Sequence, residues 1–146
     1  MFRRLSIALF TLVAGAAAFA QPRDALIVPG ERAGPIALGL SESDLVKVAG
    51  VPGLTLRQGN ETVYSFGRVT AQIGDPSAGV DLITIEDTRY ETADHLRMGL
   101  AAPVAMSLLG QPAKRSSANG VDTLEYDGMA VVLRNNLVMQ IRVQKR

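Results

Sequence analysis

A stretch of this chain returns 60 positions later, and that constrains its fold more than any other feature. Leu38 to Pro52 reads LGLSESDLVKVAGVP, and Met98 to Pro112 reads MGLAAPVAMSLLGQP. Gly39, Leu40, Gly50 and Pro52 fall on Gly99, Leu100, Gly110 and Pro112, with the apolar pairs Val48/Leu108 and Ala49/Leu109 in register between them. Self-similarity at a fixed spacing is the signature of one structural unit used twice.

Both ends of the stretch have a physical reading. Ser41 precedes an apolar-periodic run and Asp44 follows three residues on, so a hydroxyl and a carboxylate stand ready to accept from the free N–H groups of a helix start. The pattern predicts a helix from Ser41 that stops at Gly50, a residue free to take a left-handed conformation, with Pro52 barring continuation. In the second stretch Pro103 suits a first helical turn, where its missing N–H costs nothing, and Gly110 with Pro112 repeats the stop.

After each helix the period shortens to that of strands. Expected strands are about 61–66, 69–73 and 80–86, then about 122–126, 130–133 and 137–143. Phe66-Gly67-Arg68, Asp75 to Gly79, Tyr126-Asp127-Gly128 and Asn135-Asn136 supply the turns. Alternation in Ile83/Ile85 and in Met139/Ile141/Val143 leaves one sheet face apolar and in need of a cover. The expected fold class is therefore α+β, two repeats of a helix followed by a three-stranded antiparallel meander, with the helices packed on one sheet face. Residues 34–87 form the first repeat and 88–146 the second, after a lead-in over 21–33 whose last residues, with 34–40, form a strand or an irregular segment.

Residues 1–20 have the parts of a secretory signal: Arg3 and Arg4, an apolar run from Leu5 to Ala17, and Ala18-Phe19-Ala20 as a small-x-small cleavage site. The apolar run is shorter than the roughly 20 residues a membrane span needs. Cleavage near Ala20 is expected to release a periplasmic or secreted protein of a bacterium, with no integral membrane anchor. The whole chain has 15 basic and 14 acidic side chains, and two of the basic ones lie in the leader, so the remainder is near neutral. Nucleic-acid binding lacks its basic footprint. With no cysteine, stability rests on packing, and a single repeat is too small to bury enough surface alone.

Motifs for chemistry are absent from the sequence. His95 is the only histidine, and no zinc, Walker, G-x-S-x-G or G-x-G-x-x-G pattern occurs. No cofactor and no metal is expected. Glu86, Asp87, Glu91 and Asp94 form the densest acidic stretch, and paired carboxylates can perform acid–base work. Arg89 and Arg97 stand beside them, however, and the stretch reads as a solvated connector. Asn60-Glu61-Thr62 has the form of a glycosylation sequon and reads as a turn.

Tyr64 and Phe66 precede the first hairpin turn, and Tyr126 holds the corresponding place later. Rings at alternate strand positions belong either to a core or to an exposed face. In the second case Tyr64, Phe66 and Tyr126, flanked by Arg68 and Arg134, make a protein-binding surface, since aromatic and arginine side chains carry large contact area with polar reach.

The spacing from Gly39 to Pro52, a glycine and an apolar residue, then Ser, two residues, an acid and a closing Gly-x-Pro, resembles the helical motif of small outer-membrane assembly lipoproteins and of β-lactamase-inhibitor-protein-like domains. The segment Tyr90-Glu91-Thr92 to Met98-Gly99 is similar to the variant that opens the later repeat in tandem members of that group. The resemblance covers roughly Gly34 to Val143. It implies helices on one face of an antiparallel sheet whose other face is free to bind a protein. The lipidated cysteine of the assembly proteins and the disulfides of the inhibitors have no counterpart in this chain.

The expected function is that of an exported, non-enzymatic binding or envelope-assembly module recognising a protein or peptide on its sheet face. The alternatives are a small periplasmic hydrolase using the carboxylates of residues 86–94, and a structural envelope protein without a discrete ligand. The residues carry no signal for an oligomeric state.

Overall fold

Ser41 caps the first helix, its hydroxyl accepting from the Asp44 N–H at 3.2 Å and so satisfying one of the free donors of the opening turn. The helix, α1, spans Glu42–Ala49, and a second, α2, spans Ala102–Leu109. No side chain caps α2. It starts from Ala101 with a proline in its first turn. Both helices end on a glycine of positive φ, Gly50 at 87° and Gly110 at 79°, whose N–H closes back on Val46 O (2.9 Å) and Met106 O (2.8 Å). Their ψ angles of −168° and −166° put them in a region that only glycine occupies comfortably, beyond the left-handed helical one.

These two helices are the helical part of a mostly β molecule. The computed structural model describes residues 24–146, and the strands in order are β1 (Leu26–Val28), β2 (Arg32–Ala33), β3 (Ile36–Ala37), β4 (Leu54–Gln58), β5 (Glu61–Phe66), β6 (Val69–Ile73), β7 (Leu82–Ile85), β8 (Glu91–Thr92), β9 (Lys114–Ala118), β10 (Val121–Tyr126), β11 (Met129–Arg134) and β12 (Leu137–Gln144). An eight-stranded sheet runs β4-β5-β6-β7-β12-β11-β10-β9, and a four-stranded one runs β3-β2-β1-β8. Every pairing in the large sheet is antiparallel.

The α+β expectation of two helix-plus-three-strand repeats is corrected on this evidence. Helix accounts for 13% and strand for 46% of the structure, in two sheets. Four strands lie between α1 and β8, and four follow α2, because β4 and β9 precede the strands expected from the pattern. The small sheet also cuts across the expected segmentation: β1, from the lead-in, pairs in parallel with β8, with Leu26 opposite Glu91 and Ile27 opposite Thr92. The proposed leader lies outside the described residues. No described helix is long and apolar enough to cross a membrane.

The large sheet closes across its middle, where β7 meets β12 with Ile85 opposite Ile141 and Ile83 opposite Val143. All four side chains are fully buried. Alternation places Val69, Ala71, Ile73, Tyr64, Leu124, Met129 and Val131 on the same face, and they form one core with Leu45 of α1, Ala105 of α2, and Ile27, Ala33 and Ile36 of the small sheet. Each buried leucine or isoleucine contributes about 1.5–3 kcal/mol. The residues ahead of each helix tether it to the sheet. Gly39 N–H donates to Val80 O at 2.7 Å and Val80 N–H to Leu40 O at 2.9 Å. Likewise Gly99 N–H donates to Val138 O and Val138 N–H to Leu100 O, both at 2.8 Å.

Candidate binding surface

Because strand side chains alternate, whatever pairs between the core positions faces the other way. On this second face Thr70 stands opposite both Ser65 and Thr84, Gln72 opposite Val63 and Leu82, and Arg142 opposite Thr84 and Ala130. None of these belongs to the core cluster, to which the helices and the small sheet contribute their buried side chains. Ala130 and Val132 are nonetheless buried there. Their cross-strand neighbours are the longer Arg142, Gln140, Glu125 and Thr123. A short polar chain runs across the face: Arg142 Nε donates to Gln140 Oε1 at 2.7 Å, and Gln140 Nε2 donates to Glu86 Oε1 at 2.8 Å.

The two edges of the sheet differ. At one end β9 presents Lys114 and Ser116 on the second face, and Arg115 on the core side is held by Asp122 at 2.8 Å. At the other end β4 presents Leu54 and Leu56 on the second face, opposite Ser65 and Val63, and they are 54% and 56% exposed. Every residue of both edge strands is exposed. A lysine guards an edge against unwanted pairing, whereas exposed leucines invite it.

The five residues expected to form a binding surface do not come together. Tyr64, only 3% exposed, is part of the core, and Phe66 and Tyr126, on the same side of the sheet, pack against that core while partly exposed. Arg68 and Arg134 are exposed, and the alternation from Val69 and Leu133 turns them to the second face. Burial first, and then the Glu42 carboxylate, pushes the Tyr64 phenol up in pKa. Burial does the same to Tyr126, whose hydroxyl donates to Gly110 O at 2.9 Å. Leu54 and Leu56, not singled out from the sequence, are exposed apolar residues of the second face, as is Leu137, 46% exposed and opposite Arg134. The available signal for Leu54 and Leu56 was their placement two apart just after a helix stop.

Phe66 lines a hollow of about 390 Å³ together with Ile36, Ala49, Val69 and the ion pair Asp87–Arg89. That pair is tight: Arg89 Nη2 lies 2.6 Å from Asp87 Oδ2, Arg89 Nε 3.0 Å from Oδ1, and Arg89 N–H donates to Oδ1 at 3.0 Å. The Arg89 guanidinium is the main cause that holds the buried Asp87 carboxyl below the usual carboxylate range. Glu86 and Glu91, of the same stretch, are engaged elsewhere. Glu86 joins Gln140 on the second face, and Glu91 faces His95 (3.5 Å) and Arg97 (3.9 Å). Among the described residues no group of three or more His, Cys, Asp or Glu is placed to hold a metal ion.

No protein-family model and no curated protein matches the chain. Among solved structures it is similar to a DUF4309 family protein, YjgB, of Bacillus subtilis, with a TM-score of 0.58 and 13% identity over 80% of this chain and 88% of that one. It is also similar to an extracellular protein containing an SCP domain from Bacillus anthracis, with a TM-score of 0.51 and 8% identity over 74% of this chain and 44% of that one. At such identities the likeness is one of fold. A candidate β-lactamase inhibitor protein from Streptococcus mutans aligns over 67% of this chain at 16% identity, but its TM-score of 0.28 is too low to carry an argument.

Proposed function

We propose that the protein is an exported, non-enzymatic module that binds a protein or peptide on the second face of its eight-stranded sheet. The observation that carries this reading is the asymmetry of that sheet. One face is covered over its middle by the helices and the small sheet. The other offers a broad array of Thr, Gln and Arg side chains bordered by two exposed leucines. A non-obligate interface is, taken as a whole, only about as apolar as the rest of a protein surface, so a mainly polar face with an apolar edge suits such a partner. One structure of similar fold is described as extracellular, in keeping with the proposed leader. The hydrolase alternative draws no support from carboxylates engaged by Gln140, Arg89 and Arg97.

Photo-crosslinking in the native host tests the proposal. A benzophenone side chain at Gln72, Thr84 or Gln144 is expected to trap discrete protein adducts, while the same group at Ser43 or Ser107 on the helices is not. Equal adducts from both sets, or none from the sheet positions, would overturn it.

A further inference from the structure

The β4 edge offers a more specific reading than the sheet face as a whole. Its five residues have unpaired backbone groups on one side, with Leu54 and Leu56 turned to the second face and Thr55 and Arg57 to the core side, opposite Tyr64 and Thr62. Arg57 makes no ion pair among the described residues. It lines a small hollow with Glu42, Thr62 and Tyr64. The opposite edge has neither feature, since Lys114 guards its second face and Arg115 is already neutralised by Asp122.

We infer that β4 captures an extended peptide segment by strand addition, antiparallel like every other pairing in this sheet, with the pattern acid–apolar–any–apolar along the incoming strand. The acid falls opposite Arg57 and the two apolar residues opposite Leu56 and Leu54. Main-chain bonds to an open edge supply affinity in this mode, and alternate side chains supply specificity. A second copy of the chain fits less well. Self-pairing about Leu56 sets Thr55 opposite Arg57 and leaves the cation without a partner. A strip of five residues, about 17 Å long, also falls short of the about 800 Å² per partner that a stable dimer buries. The inference rests on the binding-module reading and extends it from the sheet face to the adjoining edge. Glu42 is the like charge an acidic segment has to meet.

The probe is a fluorescein-labelled decapeptide with Glu-Ile-Thr-Val at its centre, compared with the same peptide carrying Lys for Glu. Fluorescence anisotropy gives the affinities, and amide hydrogen exchange of the protein locates the contact. The acidic peptide is expected to bind about three- to ten-fold tighter, the scale of reversing one partly exposed charge. Arg57→Glu inverts the preference, Glu42→Gln tightens the acidic peptide, Leu56→Lys weakens both peptides, and protection appears at residues 54–58. Arg57 and Leu56 are exposed, so these variants retain the fold. Equal affinities for the two peptides, a preference untouched by Arg57→Glu, or protection at β9 would overturn the inference. So would concentration-dependent dimerisation that protects β4 without peptide. If the sheet-face crosslinks persist while β4 stays unprotected, the edge inference fails and the binding-module reading stands.

Discussion

The Tyr126 hydroxyl donates to the carbonyl of Gly110 at 2.9 Å, tying the end of β10 to the residue that stops α2. Phe66 ends β5 before a comparable turn but has no hydroxyl, and it lines the hollow beside α1 instead. Tyr126→Phe should therefore lower stability by about 0.5–1.5 kcal/mol, the net worth of one hydrogen bond. The partly exposed site favours the lower end. Urea denaturation checks this, with the slope m unchanged because the surface buried is the same.

Leu45 is the one fully buried residue of α1, whereas Val48 on the same helix is 44% exposed. Truncating a buried leucine removes its transfer energy and leaves a cavity, so Leu45→Ala should cost about 2–5 kcal/mol. Val48→Ala should stay within about 0.5 kcal/mol. Thermal melts of the two variants give the comparison.

Asp87 links stability to pH. Its folded-state pKa is lowered from 3.8, first by the hydrogen bonds of Arg89. The charged form is thus favoured on folding, and the contribution is present in full above the unfolded pKa and lost as pH falls through the folded one. Wild type should exceed Asp87→Asn in stability near neutrality, and the gap should narrow as pH falls below about 4. Added salt narrows it as well, because Arg89 is largely exposed. Denaturation series from pH 7 to 2 test the sign. A gap that widens in acid contradicts it.

Ile85 opposite Ile141 and Ile83 opposite Val143 join the two halves of the large sheet in one core. A fragment ending at Asp87 lacks β12, so β7 becomes a bare edge with Ile83 and Ile85 uncovered. It should show no cooperative thermal transition. A sharp two-state melt of that fragment would show that the central pairing is dispensable.

Individual elements were legible, because each readable signal has a local cause, whereas the α+β repeat architecture expected from them was not what they build. Ser41, Gly50, Pro103 and Gly110 mark helix ends through capping and backbone freedom. The strands from β5 to β7 and from β10 to β12 follow turns and apolar alternation. β4 and β9 escaped because all ten of their residues are exposed, so no buried period marks them. β1, β2, β3 and β8, at two or three residues each, are too short for a period and exist through pairing with distant segments. The candidate surface misread one step of alternation. Tyr64 and Phe66 share a face with Val69, which places Arg68 on the opposite one. The core, not the solvent, claims the rings, because the apolar partners Ala71 and Val69 lie across from them.

A partner bound on the sheet face bearing Thr70, Thr84 and Arg142 changes the surroundings of those side chains. Methyl NMR of the protein titrated with a crosslinked partner, once purified, tests this most directly. The methyl signals of Thr70 and Thr84 should shift strongly while those of Leu45 and Ala105, buried on the opposite side, stay in place. Shifts confined to residues of α1 and α2, with Thr70 and Thr84 unmoved, would contradict it.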